Sequence, residues 1–126
     1  MTINFITSLY TTVVNDPNRK WWHKSKRQLI SDFILEIDGK RFVIPKGYIF
    51  DGSSIPRPLW SIFPPSYDPA WRASAVHDYF YTHLYKHYSK EFADDVFYRV
   101  MLKDGASPLV AKLFYLAVKW FGRGNW

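Results

Sequence analysis

"LISDFILEIDGKRFVIP" (Leu29–Pro45) is the stretch that decides the fold. Two β-rich runs flank Asp38-Gly39, and an Asp-Gly pair supplies the positive φ angles that a tight hairpin turn demands. The runs alternate in polarity, which predicts strands with one buried face. Upstream, "NFITSLYTTVV" (Asn4–Val14) reads as a third strand, ended by "NDPN". Downstream, "KGYIFDGSSIPRPLW" (Lys46–Trp60) carries a short strand into a Gly-Ser-Ser loop. Pro56 and Pro58 break any regular continuation before Pro64-Pro65.

The second half changes period and punctuation. Asp68-Pro69 supplies an N-cap followed by proline at the first helical position, which predicts a helix over about Pro69–Lys86. Ser89 caps the next, "KEFADDVFYRVMLKD", which stops at Gly105. Ser107-Pro108 repeats the first device, and Gly122 closes a third helix. The expected class is α+β: a small antiparallel β-sheet in the N-terminal half packed on a three-helix C-terminal layer. At 126 residues the chain reads as a single domain, 1–65 β-rich with loops and 66–126 helical.

Composition narrows the setting. No cysteine is present, so disulfides and thiolate metal sites are excluded. The first residues lack the basic region and cleavage site of a signal peptide, and no apolar run is long enough to span a bilayer. The cytoplasm is the expected place of synthesis. A net charge of +6 and 20% aromatic residues favour anionic partners. The lysines and arginines are nevertheless scattered, and the densest group, "RKWWHKSKR" (Arg19–Arg27), reads as a solvated loop. No nucleic-acid-binding motif accompanies it.

Chemistry centres on "AVHDYFY" (Ala75–Tyr81). At ~100° per residue, Ala70, Ala73, Phe80, Tyr81 and Leu84 share one face of the first helix, with His77 inside it and Ser74 and Asp78 on its flank. On the second helix Phe92, Ala93, Val96, Phe97, Val100 and Met101 form an apolar face. Asp94 lies at its edge, while Asp95 points away toward Arg99. Packing the two faces together gathers His77, Asp78 and Asp94. Buried carboxylates need a donor, a cation or a shared proton, so three outcomes stand: a structural Asp–His bond, a catalytic Asp–His pair, or a bound metal. Asp51 ends a strand at a glycine-permitted turn. It either closes an Asx-turn on Ser53 or Ser54, or delivers a carboxylate and hydroxyl to the helical site. His83 and His87 are expected to be exposed and incidental.

The ordered blocks "IPKGYIFDGSSIPRPLW", "AVHDYFY", "ADDVFYRVM" and "AVKWFG" resemble a phage-encoded family known as domain of unknown function 1353. The resemblance covers about Ile44 to Gly122. Asp51, Ser54, Ile55, Pro56 and Arg57 match its first block, His77, Asp78 and Tyr81 its second, and Ala93, Asp94 and Phe97 its third. It implies a bacteriophage or prophage origin. The helix pair alone is also similar to phospholipase A2. That likeness implies a histidine that activates water, a neighbouring aspartate that helps hold calcium, and a second-helix aspartate that orients the histidine. His77, Asp78 and Asp94 take those places, with Tyr81 beside them.

Three functions follow. The first is a hydrolase of a cell-envelope substrate, lipid or peptidoglycan. Its catalytic residues are His77, Asp94 and Asp78, its binding residues Asp51, Ser53, Ser54, Arg57 and Tyr81. Asp51 and Asp78 are the candidate ligands for calcium, magnesium, manganese or zinc. The second is a non-catalytic virion, tail-associated or host-factor-binding protein whose His–Asp network locks the helices. The third is a binder of anionic surfaces. In "PLVAKLFYLAVKWF" (Pro108–Phe121), Lys112 and Lys119 form one narrow stripe and the remainder is apolar. Such a helix is expected to pack deep in the domain, the alternative being an interfacial helix.

Overall fold

The computed structural model describes residues 1–14, 26–50 and 68–121, with side chains in the last span described from 72 to 120. The Arg19–Arg27 group lies mostly outside these residues, as does the whole loop from Asp51 through Pro65. The chain divides into two compact units, Met1–Asp51 and Gly52–Trp126.

The regular elements among the described residues of the first unit are all β-strands. Strand β4 (Phe33–Ile37) and strand β5 (Lys40–Ile44) pair antiparallel, with Phe33 opposite Ile44 and Ile37 opposite Lys40. The hairpin turn is the expected one: Asp38 and Gly39 have φ of 51° and 83°, the double left-handed geometry that suits strand twist. Phe33, Leu35, Ile37, Phe42 and Ile44 are buried, as their period of two requires.

The expected third strand is instead two. Strand β1 (Ile3–Phe5) joins the edge of β4, whereas strand β2 (Thr11–Val13) pairs with β3 (Arg27–Leu29) in a different sheet. Among the described residues the single sheet is therefore corrected to two three-stranded antiparallel sheets, ordered β1-β4-β5 and β2-β3-β6, with β6 spanning Ile49–Phe50. Local hydrogen bonding explains the break. The amides of Ile6 and Thr7 both donate to the Ile34 carbonyl, and the Thr7 hydroxyl accepts from the Ile34 amide at 2.9 Å. A hydroxyl that substitutes for a ladder partner turns the chain out of the first sheet.

Among the described residues, the second unit holds three helices. Helix α1 (Asp68–Tyr79) runs into a π-helical turn, Phe80–Leu84, so the predicted helix keeps its length but changes its winding. Helix α2 (Lys90–Lys103) is capped by Ser89, whose hydroxyl accepts from the Phe92 amide at 3.1 Å. Its far end closes on Gly105 at φ 98°. There the Ala106 amide reaches the Met101 carbonyl and the Gly105 amide reaches the Leu102 carbonyl, a Schellman closure. Helix α3 (Pro108–Phe121) starts at Ser107, whose hydroxyl accepts from the Val110 amide at 3.3 Å.

Helix α2 packs against both α1 and α3. Ala93, Val96, Phe97, Val100 and Met101 are fully buried along it. From α3, Ala111, Phe114 and Val118 are buried. Deep burial of α3 all round is not observed: Leu109 is 71% and Trp120 72% exposed. At the opposite end from the α2 N-terminus, Arg72 forms a two-pronged ion pair with Asp104, the Nε to Oδ2 arm measuring 2.9 Å.

Candidate functional site

Helix α1 delivers His77 from its last turn, and helix α2 delivers Asp94 from its second. His77 is 0% exposed and Asp94 2%. The imidazole Nε2 lies 2.6 Å from Asp94 Oδ1. The sequence-predicted inward orientation of Asp94 is therefore what the helix packing produces. Asp95 makes the expected pair with Arg99 at 3.3 Å, with both side chains more than two-fifths exposed.

Tyr81 closes over the same carboxylate. Its hydroxyl is 3.4 Å from Asp94 Oδ1, and its ring centroid is 4.1 Å from that of His77. Tyr81 belongs to the π-helical turn that starts three residues beyond the histidine. Wider π turns recur where a helix must aim side chains at a site. Phe97 meets the imidazole edge-on at 5.2 Å, so apolar and aromatic groups surround the ring.

Lys90 is the residue that the sequence reading missed. Its Nζ lies 2.6 Å from Asp94 Oδ2 and donates to the carbonyls of Val118 and Lys119, at 2.9 and 3.1 Å. Those carbonyls belong to the last described turn of α3, at the negative end of the helix dipole. One ammonium thus satisfies a carboxylate on its own helix and the end of another. A signal was present. Lysine at the first position of a helix faces an unfavourable dipole, and Asp94 stands four residues on, at pairing distance.

These contacts fix protonation. Burial is the largest influence on His77 and lowers its pKa below the ordinary 6.5. Asp94's hydrogen bond and charge, with that of Asp78, oppose the shift, while Lys90 adds to it. Desolvation pushes Asp94 up, but hydrogen bonds from His77 and Lys90, with the Lys90 charge, hold it below the usual 3.8. Burial, then the neighbouring carboxylate, raises the Tyr81 phenol. An ionised Asp94 can only accept, so Nε2 of a neutral His77 donates to it and Nδ1 carries the lone pair.

Ser74, one turn before His77, is 1% exposed, and its hydroxyl has no hydrogen-bond partner among the described residues. Asp78 is half-buried, and its charge acts on His77. Asp51, Ser53, Ser54 and Arg57 lie outside the described residues. Among the described residues, no group of three or more His, Asp or Glu side chains is placed to hold a metal. His83 and His87 are exposed, and His83 stacks on Tyr79 at 4.8 Å.

Comparison with known proteins gives a family and little chemistry. Residues 27–118 match the family described as "Protein of unknown function (DUF1353)". The chain is also 34% identical over 97 residues to "Uncharacterized protein y4jT" of Sinorhizobium fredii (strain NBRC 101917 / NGR234). That alignment covers 75% of this chain but 28% of the relative, so the chain spans little more than a quarter of that protein's length. No solved structure matches. The matched span takes in β3 through most of α3, including His77, Tyr81, Lys90 and Asp94, and the chain belongs to the DUF1353 family of proteins of unknown function.

Proposed function

We propose that this protein is a hydrolase in which His77 is the general base and Asp94 orients it. The 2.6 Å contact between His77 Nε2 and Asp94 Oδ1 carries this reading. It selects the tautomer whose Nδ1 accepts a proton, while burial keeps the ring neutral near pH 7. A helix lock alone needs no titratable ring; a neutral amide or hydroxyl pair desolvates at lower cost. The same arrangement supports the limited likeness to phospholipase A2, in which a second-helix aspartate orients the histidine. The proposed substrate is a cell-envelope lipid or peptidoglycan in a bacteriophage or prophage setting, a choice that the net charge of +6 supports.

Asp78 follows His77 directly, is half-buried, and adds its charge beside the imidazole. The base step is assigned to His77 and Asp94, which are in direct contact. Nδ1 takes a proton from water or a substrate hydroxyl, and the resulting imidazolium is stabilised by Asp94.

Two observations favour a second reading. His77 is 0% exposed, and Lys90 extends the network to α3. Both suit a non-catalytic virion, tail-associated or host-binding protein whose polar network pins three helices.

The deciding experiment compares wild type with His77→Gln, which keeps an N–H donor toward Asp94. Thermal melts with and without calcium, manganese or zinc accompany assays on phospholipid and peptidoglycan. The hydrolase reading expects a folded variant with lost turnover. An unfolded variant, no metal stabilisation and no turnover by wild type establish the lock instead.

A further inference from the structure

We infer that the outward face of α3 docks on an anionic lipid surface. Leu109, Leu113 and Trp120, at 71%, 42% and 72% exposed, fall within ~60° of one another at ~100° per residue. They stand opposite the buried Ala111, Phe114 and Val118. Half-buried Leu116 continues the outer stripe. The helix therefore has two apolar faces, one used by the fold and one turned outward.

Charge names the occupant. Lys112 and Lys119 are exposed along one margin of the outer stripe, and α3 contains no acidic residue. Their ammonium groups converge on a single ring, Tyr115, at 5.5 and 6.0 Å from its centroid. Apolar side chains that insert beneath headgroups, a tryptophan at the boundary and lysines beside the phosphates make an interfacial helix. A second copy of the chain suits this face poorly. Pairing two α3 faces gathers four lysines with no α3 carboxylate to meet them. No described helix is long and apolar enough to cross a bilayer, so the contact is peripheral.

The test is co-sedimentation of the full chain with phosphatidylcholine vesicles and with phosphatidylcholine–phosphatidylglycerol vesicles. It needs no turnover and is independent of what His77 does. Wild type is expected to pellet with the anionic vesicles, less so as salt rises, and weakly with the neutral ones. Lys112→Gln with Lys119→Gln should weaken anionic binding roughly thirtyfold, from the energy typical of each juxtamembrane lysine. Leu113→Gln with Trp120→Gln should abolish it while circular dichroism and melting stay at wild-type values. Three results overturn the proposal: wild type left in the supernatant with both vesicles, binding unchanged by either double variant, or a concentration-dependent dimer in sedimentation velocity that Leu113→Gln dissolves.

Discussion

Lys90 and Val118 are joined by a 2.9 Å hydrogen bond from ammonium to carbonyl, and the same ammonium lies 2.6 Å from Asp94. The charge that balances the buried carboxylate therefore also holds the C-terminal turn of α3. His77 attaches to the other oxygen of Asp94, so a single carboxylate ties three helices together. This couples the stability of the helical unit to the protonation of its proposed site.

The two neighbouring aspartates should separate cleanly. Asp94→Asn replaces the buried charge that His77 and Lys90 both bind with a neutral amide, which should cost about 2–3 kcal/mol. Asp95→Asn loses an exposed pair and should cost under about 0.5 kcal/mol. Chemical denaturation of both variants measures the difference; equal losses contradict the inward placement of Asp94.

Lys90→Met should raise the His77 pKa. The lysine charge lowers it in the wild type, and its removal leaves a less compensated Asp94 that favours the imidazolium. Titration of the His77 ring by NMR checks the sign. A fall or no change shows that the ammonium does not act on the ring.

Stability should decline in mild acid. The folded His77 pKa lies below the unfolded 6.5, so the folded protein resists a proton that the unfolded chain accepts. This stabilisation is complete above about pH 6.5 and is lost as pH falls through the folded value. Asp94, lowered from 3.8, adds a second loss at more acidic pH. His77→Gln should remove the first limb of the melting profile and spare the second. A wild type that grows more stable on acidification through pH 6.5 would mean that the histidine is held as a cation.

Gly105 tests the helix closure. A Cβ there meets no atom within 4 Å, so Gly105→Ala is penalised by its φ of 98° alone. The expected cost is roughly 1–2 kcal/mol, read from the denaturation midpoint.

Short-range chemistry was the legible part of this chain. The Asp38-Gly39 turn, the Ser89 and Ser107 caps and the Gly105 stop each depend on a few adjacent residues, and each stands where the sequence places it. The division of Asn4–Val14 was hidden because Thr7 matters only once Ile34 lies beside it, 27 residues away. Helical angles put Asp94 on the inner edge of α2 and correctly faced it toward His77. They gave no hint of the π turn that carries Tyr81, since its winding depends on packing rather than period. Lys90 was passed over because its carbonyl partners belong to the end of a later helix. The apolar breadth of α3 suggested burial, yet a face open to solvent and a face in the core have the same composition.

The tautomer of His77 tests the central claim most directly. Nitrogen-15 NMR of the histidine ring at neutral pH should show a neutral imidazole with the proton on Nε2, bonded to Asp94, and an unprotonated Nδ1. Its loss in Asp94→Asn should release the ring to a mixture of forms. A doubly protonated ring, or one with the proton on Nδ1, would contradict the assignment of His77 as a base oriented by Asp94.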